Sequence, residues 1–320
     1  MRKISIIGTG NVGSCVAYTL LMDGIASEIV MVDINPDRAR GEALDISQGT
    51  PFCQPCSIYA GDYSDTANSD IVVVTSGMPR KAGQTRLDLA QANVDITKKL
   101  IPELVKYSPM ALYVIVSNPV DILTYTFCKC AGIPENHIIG SGTLLDTARL
   151  RTRVAEHYNI GQSSVHAYVL GEHGDSSFVP WSIANISGVP VDLYRDSLPR
   201  FTDLADIKEK YPDLDHDEIE NYVRTSGSRV IARKGSTFYA VSASVKHICR
   251  ALISNVASNL TVSTMMHGEY GIDDVCLSVI NMVNHNGAMA KVVPPLRDDE
   301  LVKLQNSANT LKEVISQLKI

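Results

Sequence analysis

The sequence predicts an α/β protein with two parts, a doubly wound parallel sheet in residues 1–141 and an α+β part in residues 142–320. Short apolar runs alternate with helix-type segments throughout the first part, which is typical of a parallel sheet with right-handed crossovers. The run at 111–116 is continuously apolar, as in a strand that is covered on both faces. After Ser141 the alternation stops, and 320 residues are enough for about two domains.

The individual elements follow from hydrophobic periodicity. In the first part, strands are predicted at 4–7, 28–32, 57–60, 71–75 and 111–116, and helices at 11–21, 36–48 and 87–107. In the second part, helices are predicted at 145–158, 217–231, 236–258 and 298–318, and strands at 166–170, 261–266 and 275–283. No repeat or flexible linker lies between the two parts, so we expect them to pack against each other.

The composition restricts the partners of the chain. Its formal net charge of −6 argues against a nucleic-acid partner, because phosphate contacts need a basic face. No apolar stretch approaches the ~20 residues of a membrane helix, and the first residues do not form a secretory signal, so we expect no membrane partner. Seven scattered cysteines indicate reduced thiols in the cytoplasm, and the Cys53–Cys56 pair is expected to pack in the protein rather than to bind a metal.

A glycine-rich loop predicts the cofactor. Residues Gly8, Gly10 and Gly13, with Asn11 and Val12 between them, form a G-x-G-x-x-G loop that follows a predicted strand and opens a predicted helix. These glycines permit a tight turn, close approach of a pyrophosphate and close helix packing, and the helix N-terminus attracts phosphates. Asp33 ends the second strand, where an acid binds the adenine ribose and repels a 2′-phosphate. A Rossmann domain that binds NAD is therefore predicted; the alternative is a tight turn and a helix-capping aspartate.

A histidine motif predicts proton transfer. His173 lies between two glycines and two acids in the segment 171–175, directly after the apolar run at 166–170. Histidine changes charge near neutral pH, so at the end of a strand it is well placed to give and take a proton. The alternative is a purely structural histidine.

The motifs together resemble those of the lactate/malate dehydrogenase family, and the resemblance extends over essentially the whole chain. Within the family, the chain is most similar to the malate dehydrogenases that are built like lactate dehydrogenases. The motifs that carry the resemblance are GTGNVG at 8–13, RKAGQTR at 80–86, VSNP at 116–119, DTAR at 146–149 and GEHGD at 171–175. The resemblance implies an NAD-binding Rossmann domain at 1–141, followed by a substrate-binding and catalytic domain at 142–320.

The resemblance implies a role for each residue of the site. His173 would be the proton donor and acceptor, Asp146 would hold its other ring nitrogen, and Arg149, three residues further along one helix, would bind the substrate carboxylate. Asp146 as a helix cap and Arg149 as a surface ion pair remain the alternatives. Further substrate contacts are implied for Arg86, at the end of a closing loop, and for Asn118 and Thr237. The implied cofactor-binding residues are Gly8, Gly10, Asn11, Val12, Gly13, Asp33, Asn93, Val116 and Asn118, and no metal is implied.

Arg80 favours a particular substrate. It lies six positions before Arg86, where the family has its substrate-selecting residue, typically glutamine in lactate dehydrogenases and arginine in malate dehydrogenases. An arginine there would pair with the second carboxylate of oxaloacetate, whereas pyruvate would leave it buried without a partner. The sequence therefore predicts a malate dehydrogenase, an enzyme of the tricarboxylic acid cycle. The segments 83–89 and 234–237 are instead similar to lactate dehydrogenases, so L-lactate dehydrogenase is the alternative.

Other interpretations remain open. An NAD-binding scaffold would not need the catalytic residues, and an NAD-dependent glycosidase would need metal ligands that the sequence does not supply. Arg151 and His166 match positions that bind a sugar-bisphosphate activator in some bacterial lactate dehydrogenases. The family also implies a homo-oligomer, either a dimer or a tetramer, acting on a small 2-hydroxy or 2-keto acid.

Overall fold

The computed structural model describes residues 2–78, 85–198 and 204–320. Its strands are β1 Lys3–Ile7, β2 Glu28–Val32, β3 Ser57–Ala60, β4 Ile71–Val74, β5 Leu112–Ile115, β6 Ile138–Gly140, β7 Val165–His166, β8 Asn185–Ile186, β9 Val189–Pro190, β10 Ser258–His267, β11 Asp273–Asn284 and β12 Gly287–Lys291. Its helices are α1 Asn11–Met22, α2 Pro36–Gln48, α3 Arg86–Tyr107, α4 Val120–Cys130, α5 Leu144–Tyr158, α6 Val191–Tyr194, α7 Leu204–Lys210, α8 His216–Lys234, α9 Tyr239–Leu252 and α10 Asp298–Ile315.

Nine of the described strands form one sheet, in the order β12-β11-β10-β6-β5-β4-β1-β2-β3. The six strands from β3 to β6 are parallel, and their order is that of a Rossmann fold. The strand order reverses between β1 and β4, and ligands of such sheets bind in the crevice outside the strand ends at this point. The fold class predicted from the sequence is thus confirmed.

The antiparallel strands of the second part extend the same sheet. β10 pairs with β6 through Ser263 and Gly140, and β11 and β12 follow on the outside. Gly140 is required here, since a Cβ atom at this position would lie 2.8 Å from the Cβ of Ser263. A smaller sheet of β7, β8 and β9 packs with α5 and α8 around a separate cluster of buried side chains.

The core lies on both faces of the large sheet because alternate strand residues point to opposite faces. On one face, apolar residues of α3, α4 and α10 pack together, with Leu104, Phe127 and Leu304 fully buried. On the other face, α1 and α9 pack together, with Leu20 and Ile248 fully buried. Since α9 belongs to the second part and α1 to the first, the two parts share this core.

Several elements differ from the sequence prediction. Helix α4 was not predicted, because all eight residues from Val120 to Phe127 are buried and a short, mostly apolar segment can equally indicate a buried strand. Strand β6 has only three residues and β12 only five, too few for a clear pattern. The strand predicted at 166–170 shortens to β7 because the chain then leaves the ladder, with only single bridges at Leu170 and Gly171. In the described ranges, no helix is both long and apolar enough to cross a membrane.

Candidate active site

The glycine loop lies at the carboxyl end of β1. Gly8 has a positive φ of 98°, which favours glycine, and its N–H donates to the carbonyl oxygen of Val32. A Cβ atom on Gly13 would lie 1.8 Å from the carbonyl oxygen of Gly8, so only glycine lets α1 start this close to the strand. A Cβ atom on Gly10 would meet nothing within 4 Å. The space beside Gly10 is therefore open to a ligand, as a pyrophosphate site at the N-terminus of α1 requires.

Asp33, at the end of β2, is held in place beside this loop. Its Oδ2 accepts hydrogen bonds from the backbone N of Thr9 at 2.6 Å and from the Thr9 hydroxyl at 3.1 Å. Its Oδ1 accepts from the backbone N of Asn35 at 2.9 Å. The cap of α2 is Asn35, whose side chain accepts from the backbone N of Arg38. Asp33 is therefore not the helix cap, and its half-buried carboxylate has the position from which a ribose can be bound.

The remaining residues that were predicted to bind the cofactor lie near the ends of β4 and β5. Val116 continues the β5 ladder and is buried. Asn93 is 2% exposed, accepts a hydrogen bond from the backbone N of Met78 at 2.8 Å and donates to the backbone oxygen of Asn118 at 2.8 Å. Its amide thus joins the two loops that follow these strands. Asn118 is exposed, and its peptide bond to Pro119 is cis.

Three charged side chains of the second part form a connected chain. The Nδ1 atom of His173 lies 2.6 Å from Oδ2 of Asp146, and Nη1 of Arg149 donates to Oδ1 of the same carboxylate at 2.8 Å. The exposed fractions of the three side chains are 30%, 7% and 17%, respectively. Helix α5 begins at Leu144, so Asp146 lies in its first turn rather than at its cap. The Arg149–Asp146 pair is mostly buried, unlike a surface ion pair.

The charges of this cluster determine the proton affinity of His173. The Asp146 carboxylate raises the pKa of His173 to about 9, against the effect of burial, which lowers it. Burial of Asp146 favours its neutral form, but the charges of His173 and Arg149 outweigh this and keep its pKa below the ordinary value. At neutral pH the pair is therefore an imidazolium and a carboxylate, with Nε2 of the imidazolium left for another acceptor.

A second carboxylate contacts His173 and was missed in the sequence. Asp121, in the first turn of α4, accepts a hydrogen bond from the backbone N of His173 at 2.8 Å through Oδ2. The sequence signal was weak, since an acid in a first helical turn is common and α4 itself was not predicted.

The predicted substrate-contacting residues are only partly brought together. Arg86 is the first residue of α3, and its Nη1 atom lies 2.8 Å from Oδ2 of Asp175, two residues after His173. Thr237 is half-buried between α8 and α9, and its neighbour Ser236 accepts a hydrogen bond from Asn11 of the glycine loop at 3.2 Å. Arg80 lies outside the described residues.

The residues of the alternative activator site lie on two elements, Arg151 on α5 and His166 on β7. Arg151 donates through Nε to the backbone oxygen of Ala167 at 3.0 Å, and its guanidinium lies 5.2 Å from the ring of Tyr168. His166 is exposed on β7. All seven cysteines are free, and the described residues contain no group of three His, Cys, Asp or Glu side chains placed to hold a metal.

A Rossmann sheet with an open glycine loop, beside a histidine that is charged through a buried aspartate, defines a class of NAD-dependent oxidoreductases. Family models agree with this geometry. The model for the NAD-binding domain of lactate/malate dehydrogenases matches residues 2–140, and the model for the α/β C-terminal domain matches residues 143–319. The chain belongs to the lactate/malate dehydrogenase family, and its cofactor is NAD.

Relatives of known name point to one branch of the family. The chain is 44% identical over 320 residues to an L-lactate dehydrogenase of Acetivibrio thermocellus, covering 100% of this chain and 98% of the relative. It is also 44% identical over 320 residues to an L-lactate dehydrogenase of a Thermoanaerobacter species, with full coverage of both chains. L-lactate dehydrogenase 1 of Clostridium acetobutylicum is 44% identical over 316 residues, covering 99% of this chain and 98% of the relative.

Solved structures are similar in the same way. A ligand-bound minor L-lactate dehydrogenase from Enterococcus mundtii has a TM-score of 0.93 and 33% identity, covering 100% of this chain and 99% of that chain. A lactate dehydrogenase from a deep-sea metagenome library has a TM-score of 0.89 and 35% identity, covering 99% of each chain.

The prediction of a malate dehydrogenase, and with it a place in the tricarboxylic acid cycle, is wrong. Relatives that are 44% identical over 99–100% of this chain are named L-lactate dehydrogenases. The prediction depended on the charge of one side chain, Arg80, and assumed that this side chain faces the substrate. The segments 83–89 and 234–237, which are similar to lactate dehydrogenases, were the better guide.

Proposed function

We propose that the chain is an NAD-dependent L-lactate dehydrogenase that interconverts pyruvate and L-lactate. The proposal is supported by full-length relatives of that name at 43–44% identity and by a site whose charges suit a 2-keto acid. The observation that carries the chemistry is the chain of contacts from His173 through Asp146 to Arg149. When bound, NADH supplies the hydride for the reduction of pyruvate, and NAD accepts the hydride in the oxidation of lactate.

Arg149 binds the substrate carboxylate in this proposal. Only one of its nitrogen atoms, Nη1, is engaged with Asp146, and 17% of its side chain is exposed. A guanidinium presents paired N–H groups that match a carboxylate bidentately, so it orients the substrate as well as attracting it. The contact with Asp146 fixes the orientation of the guanidinium group, which lowers the entropy cost of substrate binding.

His173 moves the proton. Because Asp146 engages Nδ1, the remaining nitrogen, Nε2, is the one that donates to the oxygen of the keto group as pyruvate is reduced. The raised pKa of about 9 keeps the imidazolium populated at neutral pH. In the oxidation of lactate the neutral imidazole takes the proton from the hydroxyl group, and the Asp146 carboxylate stabilises the charge that results.

Arg86 adds positive charge at the rim of the site. Its side chain is 78% exposed, and its partner Asp175 is 76% exposed, so the pair is in contact with solvent. We propose that Arg86 turns to the keto oxygen when substrate is bound. There, a guanidinium stabilises the negative charge that develops on this oxygen, and Asn118 and Thr237 complete the substrate contacts.

The proposal extends to domains, location and assembly. Residues 1–141 would form the NAD-binding domain and 142–320 the substrate-binding domain, so that the site draws side chains from both. Seven free cysteines favour the cytoplasm. A homo-oligomer is favoured by exposed apolar side chains such as Met22 on α1, Leu44 on α2 and Phe52 just after α2. Light scattering would detect it.

Steady-state NADH oxidation tests the proposed substrate. We expect turnover with pyruvate at a kcat/KM above that with oxaloacetate. A His173→Gln variant should lose turnover with both acids and keep its affinity for NADH, which shows that the activity comes from this site. A higher kcat/KM with oxaloacetate would contradict the proposal.

A further inference from the structure

Asp121 is a buried carboxylate that none of the roles above uses. It lies in the first turn of α4 and is only 2% exposed. Its Oδ2 atom accepts the backbone N–H of His173 at 2.8 Å. Within the described residues, Oδ1 of Asp121 has no hydrogen-bond partner, and neither has the buried hydroxyl of the nearby Ser263.

This contact joins two segments of the site. Asp121 follows Asn118 by three residues, in the segment that begins with the cis peptide bond. His173 lies 52 residues further along the chain. The histidine is therefore held at two points by two helices: its ring by Asp146 of α5, and its backbone by Asp121 of α4.

A role in helix stability alone does not explain this arrangement. A carboxylate in the first turn of a helix stabilises the helix dipole equally well when it is exposed to solvent. Burial of the charge is costly unless a partner compensates it. Burial raises the pKa of Asp121 to about 6, and the backbone N–H and the positive charge of His173 oppose this rise.

We propose that Asp121 is a positioning residue that fixes the backbone of His173 relative to the Asn118 segment and holds the imidazolium in its charged form. The proposal concerns the same site as the proposed function and rests on it for the role of His173. It assigns Asp121 no direct contact with the substrate. The positioning effect and the charge effect of Asp121 are separable, because asparagine at this position keeps a hydrogen-bond acceptor but removes the charge.

The electrostatic part depends on all charges that face these two groups. Asp146 and Asp121 face His173 and favour the imidazolium, whereas Arg149 disfavours it. Asp121 is faced by His173, which favours its carboxylate, and by Glu172, which disfavours it. Removal of the charge of Asp121 should therefore lower the pKa of His173 without abolishing the larger effect of Asp146.

The experiment compares Asp121→Asn and Asp121→Leu, with Glu300→Gln as the control. Glu300 is also a fully buried carboxylate that accepts a backbone N–H, from Ser182 at 2.9 Å, but it is not among the charges that face His173. The pKa of His173 is measured by NMR of protein with 13Cε1-labelled histidine, assigned with His173→Gln. This readout needs no substrate, so it stands even if the chain does not reduce pyruvate.

Asp121→Asn should lower the pKa of His173 by about one pH unit and leave the thermal unfolding midpoint unchanged or raised. Glu300→Gln should leave this pKa unchanged. Asp121→Leu should in addition reduce kcat by about 100-fold at the pH optimum, with the KM for NADH unchanged, because the backbone of His173 is no longer held.

An unchanged pKa of His173 in Asp121→Asn would overturn the electrostatic part. A kcat in Asp121→Leu equal to that in Asp121→Asn would overturn the positioning part. Loss of thermal stability in both variants with an unchanged pKa would show a merely structural role. If the leucine variant does not fold, Asp121→Ala takes its place, because it also removes the acceptor.

Discussion

The substitution Asp146→Asn tests how the site keeps His173 charged. In the structure the carboxylate of Asp146 lies 2.6 Å from Nδ1 of His173 and raises its pKa from 6.5 to about 9. This rise corresponds to about 3 kcal/mol of preference for the imidazolium. Asparagine removes the charge, while burial continues to favour the neutral ring. The pKa should therefore fall to 6.5 or below, and the charged fraction at pH 8 should fall by about 30-fold.

The assay is the pH dependence of kcat/KM for pyruvate reduction between pH 5 and 10. In the parent enzyme the rate should be sustained up to about pH 9 and decline above it, since the imidazolium is the proton donor and is lost as the pH rises through its pKa. In Asp146→Asn the decline should begin near pH 6.5. Asp175→Asn is the matched control, because Asp175 is close in sequence but 76% exposed. If kcat/KM of Asp146→Asn declined at the same high pH as that of the parent enzyme, the reasoning would be refuted.

Three further predictions concern the cofactor loop and the rim. Gly10→Ala should fold like the parent, because the φ of −68° at this position suits alanine and the added Cβ meets open space, yet it should bind NADH at least about tenfold more weakly. Gly13→Ala should instead lower the thermal unfolding midpoint. Fluorescence titration with NADH and thermal melts distinguish the two effects, and an unchanged NADH affinity in Gly10→Ala would contradict the phosphate site. Asp33→Asn should raise the KM for NADH and lower that for NADPH by about tenfold, and an unchanged ratio would show that Asp33 does not face the ribose. Arg86→Gln should leave the thermal unfolding midpoint unchanged, since the ion pair of Arg86 is exposed, but should reduce kcat by about 100-fold. Full activity of this variant would show that Arg86 does not contact the substrate.

Local signals made the first part of the fold predictable. The glycine loop and Asp33 combine residue type, spacing and neighbouring elements within a few dozen residues, and in the structure Asp33 is hydrogen-bonded to the loop through Thr9. Helix α4 was missed, because a short, mostly buried segment cannot be told from a buried strand by its apolar residues alone. The elements at the edge of the sheet were too short to form a pattern.

The site was harder to predict, because its contacts are non-local. Asp146 and His173 lie 27 residues apart in sequence, and only the family resemblance suggested that they meet. The contact between Asp121 and the His173 backbone spans 52 residues and has no sequence signature. The substrate predicted from Arg80 was wrong, because the charge of one residue does not by itself determine which acid is bound.

A crystal structure of the complex with NADH and oxamate tests the central claim most directly. Oxamate has an amino group in place of the methyl group of pyruvate, so its carbonyl is that of an amide and is not reduced. We expect its carboxylate within about 3 Å of the guanidinium of Arg149 and its carbonyl oxygen within about 3 Å of Nε2 of His173. A carboxylate bound away from Arg149, or a carbonyl oxygen out of reach of His173, would contradict the account.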